Sequence, residues 1–159
     1  MSTITVSASG PVHAAPRVVY GILADYRDGH PHVLPRPPFG ELVVESGGTG
    51  AGTVFRVQTR EGLGMRTYRM TVSEPEPGRL LMESDTESDL VSTFRVEPVD
   101  GGRESRVTIT TTCTRGGVRG WLEAVLFPRL AGPIYQKEIA NLDRLARERA
   151  LTRASAAAT

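Results

Sequence analysis

Cysteine occurs once in this chain, at Cys113, and lysine once, at Lys137. A lone cysteine excludes an internal disulfide and a cysteine-rich zinc site. No uninterrupted apolar run approaches the roughly 20 residues that cross a bilayer, so no spanning helix is expected. The opening residues, MSTITVSASG, have neither a basic n-region nor an apolar h-region, and the expected location is the cytoplasm. With lysine nearly missing, arginine carries the positive charge. Arginine pairs bidentately with phosphate. Here, however, the arginines are spread along the chain, and 19 basic residues face 18 acidic ones for a net charge of +1. Without a basic stripe or a recognition motif, nucleic acid is not an expected partner.

What is present is enough for one domain with a real core: 159 residues, 39% of them hydrophobic, which is neither a disordered composition nor a polyelectrolyte. Thr3 to Ser9 alternates Ile4, Val6 and Ala8 with Thr5, Ser7 and Ser9, the pattern of a half-buried strand that Gly10-Pro11 then punctuates. Ala15-Pro16 opens a helix whose buried side is Val18, Val19, Ile22, Leu23 and Tyr26. Residues 28–38 hold Gly29, Pro31, Pro35, Pro37 and Pro38 and read as a loop with at most one helical turn. Six strands follow, over 39–46, 53–60, 65–73, 79–84, 90–97 and 105–114. Glycine- and proline-rich turns connect them, with the acidic run Glu83–Asp89 read as a solvated hairpin. The glycine run Gly47–Gly52 leads into a strand rather than a helix and carries no Gly-Lys-Ser/Thr. It reads as a tight turn of positive-φ glycines, not a phosphate loop.

One long helix closes the chain, from Gly116 to Leu151. Tyr135, Ile139, Leu142, Leu145 and Ala146 fall on one stripe, and Pro128 and Pro133 predict a kink or break between them. A straight helix of that length runs roughly 50 Å, longer than the about 40 Å width of a compact domain this size. It therefore crosses the whole domain, bends, or both. Strand, helix, loop, six hairpin-linked strands and a long helix make an α+β chain. About seven antiparallel strands curve around the C-terminal helix, with one or two short helices between strands 1 and 2. The expected domain is 1–151, with 152–159 as a flexible tail.

Several stretches resemble a known superfamily, the START / pollen-allergen-like (SRPBCC) proteins, and within it the polyketide cyclase/dehydrase-type branch. These are Ile4-x-Val6-x-Ala8 with Ala15-Pro16-x-x-Val19-Tyr20-x-x-Leu23-x-Asp25-Tyr26, then Gly50-x-Gly52-Thr53 and Glu74-x-Glu76-Pro77-x-Arg79-Leu80. Phe94-x-Val96-Glu97-Pro98 with Gly101-Gly102 and Arg106-Val107-Thr108 continues the match, and the long last helix completes it. The resemblance implies a helix-grip fold. It also implies a small hydrophobic ligand, such as a lipid or polyketide, held between sheet and helix for binding, transport or sensing. It specifies fold more than chemistry, and some members are enzymes.

The alternation places Phe55, Val57, Phe94, Val96, Val107 and Ile109 toward the helix, with Tyr135, Ile139 and Leu142 facing back. These either fill a dry core or line a cavity. Arg66, Tyr68, Met70 and Val72 share one strand face. If that face points inward, Arg66 and Tyr68 are polar handles in an apolar space; otherwise Arg66, near the strand's start, is exposed or salt-bridged. The expected ligand-binding set is thus Phe55, Val57, Arg66, Tyr68, Met70, Phe94, Val96, Ile109, Tyr135, Ile139 and Leu142. The alternative to simple binding is a cyclase, aromatase or dehydratase. In aromatase/cyclase relatives an arginine and tyrosines steer enolate chemistry, and the resemblance makes Arg66 and Tyr68, or a loop histidine (His30 or His32), the candidates for catalysis. Asp25-x-x-Asp28-x-His30-x-His32 has metal-ligand residue types at a spacing that matches no metal motif, so neither a metal nor a cofactor is expected. Cys113 reads as buried and inert. Trp121, Leu122, Leu126 and Phe127 offer a pocket mouth or a homodimer contact.

Overall fold

The structure, a computed structural model, describes residues 2–159, and the side chains of all of these except 2, 115 and 117–126. The chain forms β1 (Ser2–Val12), α1 (Pro16–Ala24), α2 (His30–Val33), β2 (Phe39–Ser46), β3 (Val54–Glu61), β4 (Gly64–Glu76) and β5 (Leu80–Asp85). Then come β6 (Val91–Val99), a 3-10 turn over Asp100–Gly102, β7 (Glu104–Arg115) and α3 (Gly117–Ala157). The strands make a seven-stranded sheet in the order β1-β7-β6-β5-β4-β3-β2, every neighbour antiparallel. Successive hairpins build β2 to β7 outward, and β1 pairs with the last strand.

Alternation does the work of closing the core. In β7, Val107, Ile109, Thr111 and Cys113 are buried, opposite Gly10, Ala8, Val6 and Ile4 of β1. In β4, Tyr68, Met70 and Val72 are buried, while Thr67, Arg69 and Thr71 are exposed. The inner face of α3 is Ala131, Tyr135, Ile139, Leu142 and Ala146; Leu145 is only half-buried.

Four sequence expectations change. Gly10 does not end β1, which runs on to Val12. It is there for clearance, because a Cβ on it would sit 3.1 Å from Cγ2 of Ile139 on α3. The long helix is continuous through Pro128 and Pro133. Each proline deletes one i→i−4 bond, and packing of Ala131 and Tyr135 on the inner face holds the intervening turn. The same helix continues past Leu151 to Ala157. Finally, α1 stops at Ala24, so Tyr26 is buried from the connection after the helix rather than from its stripe. The glycine turn is as expected, with positive φ at Gly47, Gly48, Gly50 and Gly52. Trp121, Leu122 and Leu126 lie outside the described side chains, and Phe127 is exposed.

Candidate functional site

The connection from α1 to α2 drops two rings into the interior. Asp25 leaves the helix in extended conformation, and its carboxylate accepts the amides of Arg27 and Asp28 at 3.1 and 3.0 Å. The carboxylate is thereby committed to shaping the turn. Gly29 follows, where any Cβ would lie 2.4 Å from the Ile22 carbonyl oxygen. This tight return puts Tyr26 and His30 face to face, with ring centroids 4.7 Å apart and planes 15° from parallel. Tyr26 also stacks on Phe55 at 4.8 Å, and His30 meets the edge of Phe94 at 5.2 Å.

Both rings converge on Glu83. The Tyr26 hydroxyl donates to Oε1 of Glu83 at 2.7 Å, and Nε2 of His30 lies 3.4 Å from the same oxygen. The other imidazole nitrogen, Nδ1, is 2.8 Å from the Leu23 carbonyl oxygen. A carbonyl can only accept, so Nδ1 carries a hydrogen and Nε2 is the atom free to exchange a proton with the carboxyl. Burial raises the Glu83 pKa above the ordinary carboxylate value, with His30 and the Tyr26 hydrogen bond pulling it back down. Burial and the adjacent Glu83 also push the Tyr26 phenol well up, keeping it a donor.

The solvated-hairpin reading of Glu83–Asp89 is corrected here. Strand β5 continues to Asp85, and the inward alternation that starts at Leu81 carries Glu83 and Asp85 into the interior. Asp85 accepts from the Ser88 hydroxyl at 2.6 Å.

From the other side, α3 contributes Tyr135 and Glu138. Tyr135 donates to the Thr111 hydroxyl, which is linked to Ser92 at 2.7 Å. Glu138 is 2% exposed and makes no hydrogen bond or ion pair among the described residues, yet its carboxyl oxygens keep a trace of accessible surface, because no fully enclosed side-chain oxygen among those residues lacks a partner. Burial first, and then the charge of Glu83, push its pKa well above the usual carboxylate range. Its surroundings on an apolar helix face thus favour the neutral form of the acid. The Tyr135 phenol is raised by burial, with Glu138 and Glu83 adding to the effect against the opposing Thr111 hydrogen bond.

The named candidates separate into three places. Phe55, Val57, Tyr68, Met70, Phe94, Val96, Ile109, Tyr135, Ile139 and Leu142 all belong to one buried cluster. Arg66 stands at its margin: its guanidinium carbon lies 4.5 Å from the Tyr68 ring centroid, and Nη1 is 4.0 Å from Glu61. The Tyr68 hydroxyl donates to that same Glu61. Arg66 is thus the half-exposed, paired arginine of the two readings, with its partner supplied by the β3–β4 hairpin. His32 is outside. In the single turn of α2, residues two apart face opposite ways, so His30 is 1% exposed while His32 is exposed on an outer cleft. Of the two candidate histidines the interior thus holds His30, and Glu83 and Glu138, which the sequence reading did not place at the site, lie there with it. Cys113 is buried as expected.

The arrangement offers acid–base chemistry, or hydrogen bonding, to a guest that is otherwise apolar. Residues 3–147 match the family described as polyketide cyclase / dehydrase and lipid transport. Among solved structures, the KanY protein determined by NMR is 28% identical, covers 92% of this chain and 99% of its own, and superposes with a TM-score of 0.79. An aromatase/cyclase, Zhui, from Streptomyces sp. R1128 is 15% identical over 94% of this chain and 96% of its own, TM-score 0.74. A START superfamily protein from Mycobacterium smegmatis is 14% identical over 91% and 97%, TM-score 0.68. The last two are similar in fold alone. No curated protein matches significantly. With the match running through almost the whole chain, and sheet and helix arranged as in the START-like structures, this protein belongs to the polyketide cyclase/dehydrase and lipid transport family and has its helix-grip fold.

Proposed function

We propose that the chain binds a small hydrophobic molecule, lipid-like or polyketide-like, between the concave face of the sheet and α3, for storage, transport or sensing. The observation that carries this reading is Glu138. An ordinary core does not keep an unpartnered carboxyl on the inner stripe of its main helix, because burying it costs free energy that an apolar residue would not. A guest carrying a polar group would satisfy it. Buried apolar side chains of the sheet, among them Phe55, Met70 and Phe94, would supply the remaining contact. Burial of about 300 Å² of apolar ligand surface contributes roughly 7 kcal/mol before association costs, enough for weak to micromolar binding.

The test is native mass spectrometry of the purified chain, followed by extraction and identification of any co-purifying molecule and titration with lipids and aromatic polyketides. Protein that is empty and binds none of them refutes the reading.

A second reading is supported by a separate observation, the Tyr26–Glu83–His30 group. A cyclase- or dehydratase-type enzyme needs a proton donor and acceptor held in an apolar site, and Nε2 of His30 and Oε1 of Glu83 lie 3.4 Å apart in the interior. On this reading His30 and Glu83 move the proton, Tyr26 orients the carboxyl, and Arg66 and Tyr68 steer substrate at the margin. A His30→Gln variant that binds ligand like the parent but turns over no polyketone substrate would support it. Unchanged turnover in that variant would remove it.

A further inference from the structure

The outer surface holds a concavity separate from the interior. The proline-rich segment 31–37 and the solvent side of α3 enclose an open cleft of about 720 Å³, within the size range of small-molecule sites. His32, Arg36, Lys137 and Arg144 line it, and among the described residues no acidic side chain does. Lys137 and Arg144 are seven residues apart, two helical turns, so they stand on one side of α3. Arg36 faces them from the loop. Some arginines elsewhere are paired, Arg56 and Arg69 with Glu45, Arg95 with Glu76, and Arg147 with Asp143, while others, such as Arg17, Arg60 and Arg79, stand singly among the described residues. Arg36, Lys137 and Arg144 have no ion-pair partner among the described residues.

Three unneutralised cations on facing walls, in a chain whose net charge is only +1, concentrate positive potential in one concavity. The walls are also fixed in place. Nδ2 of Asn141 donates to the Val33 carbonyl at 3.0 Å, and Nη2 of Arg149 donates to the Asp28 carbonyl at 3.0 Å, so the loop is tied to α3 at two points. The prolines limit its backbone further. Such preorganisation lowers the cost of binding.

We infer that this outer cleft binds a phosphate group, carried either by a free small molecule or by a lipid headgroup. Arg36 and Arg144 supply planar forks for the oxyanion, Lys137 a point charge, and the proline-lined floor takes the rest of the ligand. The site is independent of the interior one and stands whether or not the interior binds a guest.

Amide-resolved NMR titration of the full chain with inorganic pyrophosphate tests it, alongside co-sedimentation with vesicles containing phosphatidic acid or phosphatidylcholine alone. The expected result is saturable shifts confined to 31–37 and 137–144, weakened by added salt. Affinity should fall about tenfold, or about 1.4 kcal/mol, for each cation removed among Arg36→Gln, Lys137→Gln and Arg144→Gln. Pyrophosphate binding without vesicle binding identifies a free phosphate ligand; binding to phosphatidic acid vesicles alone identifies a headgroup. Neither probe engaging overturns the inference, as does a triple variant that keeps the parent's dispersed spectrum and its affinity.

Discussion

Replacing Glu138 by methionine isolates the free energy stored in the inner face of α3. The side chain is 2% exposed, unpartnered among the described residues, and flanked along its stripe by Tyr135 and Leu142. Methionine is similar in size and can follow the same path. Removing a buried polar group that makes no hydrogen bond recovers about 1–3 kcal/mol. In a chain of this length each kcal/mol moves Tm by about 2–4 °C. The variant is therefore expected to melt several degrees above the parent. The effect also has a pH signature. Burial raises the folded-state pKa of Glu138 above the value of 4.5 it has when exposed. The folded protein thus holds a proton that the unfolded chain gives up. Stability from this group is complete below about pH 4.5 and is lost as pH rises toward the folded pKa. Glu138→Met should gain least over the parent near pH 4.5, where only the burial of the neutral acid counts, and progressively more toward pH 7.5. Urea unfolding at three pH values measures it. A variant that is less stable than the parent at every pH, or whose advantage does not change with pH, would refute the claim that the carboxyl is an uncompensated burden on the fold.

Three other outcomes follow from the same geometry. Glu83→Ala leaves the Tyr26 hydroxyl and the His30 ring facing a hole and should cost about 3 kcal/mol in urea unfolding. Gly29→Ala forces a methyl group against the Ile22 carbonyl. It should cost about 1–3 kcal/mol and shift the His30 ring resonances, whereas Gly21→Ala, with open space around it, should not. Asp143 feels burial raising its pKa, but the His13 hydrogen bonds and Arg147 outweigh it and leave the pKa lowered. Its contribution is present above pH 3.8 and is lost as pH falls through the lower folded value. Because the pair is partly exposed and screened, Asp143→Asn should cost no more than about 1 kcal/mol at neutral pH.

The strands were legible because period-two alternation survives in them. Val107, Ile109, Thr111 and Cys113 announce both β7 and its inward face. The same rule, applied without regard to charge, would have found the interior acid. Leu81, Glu83 and Asp85 alternate just as cleanly, and it was the company of Glu87 and Asp89 that suggested solvent. Glu138 was likewise readable as a stripe member, three residues after Tyr135 and four before Leu142. Charge argued it outward, and burial won. What could not be read locally is the choice between His30 and His32. That rests on the turn at Gly29, which is set by contact with the Ile22 carbonyl. The fate of the two prolines in α3 was equally hidden, since the packing that holds that turn comes from residues far away in sequence.

Lys137 and Glu138 are successive residues, yet one looks into the outer cleft and the other into the interior. A single turn of α3 therefore stands between the outer cleft and the buried core. Any tilt or roll of that turn repositions a cation on one side and an acid on the other. A ligand in the cleft that changes the helix's preferred tilt is therefore felt at the buried acid, and any change at that acid is felt in the cleft by the same factor.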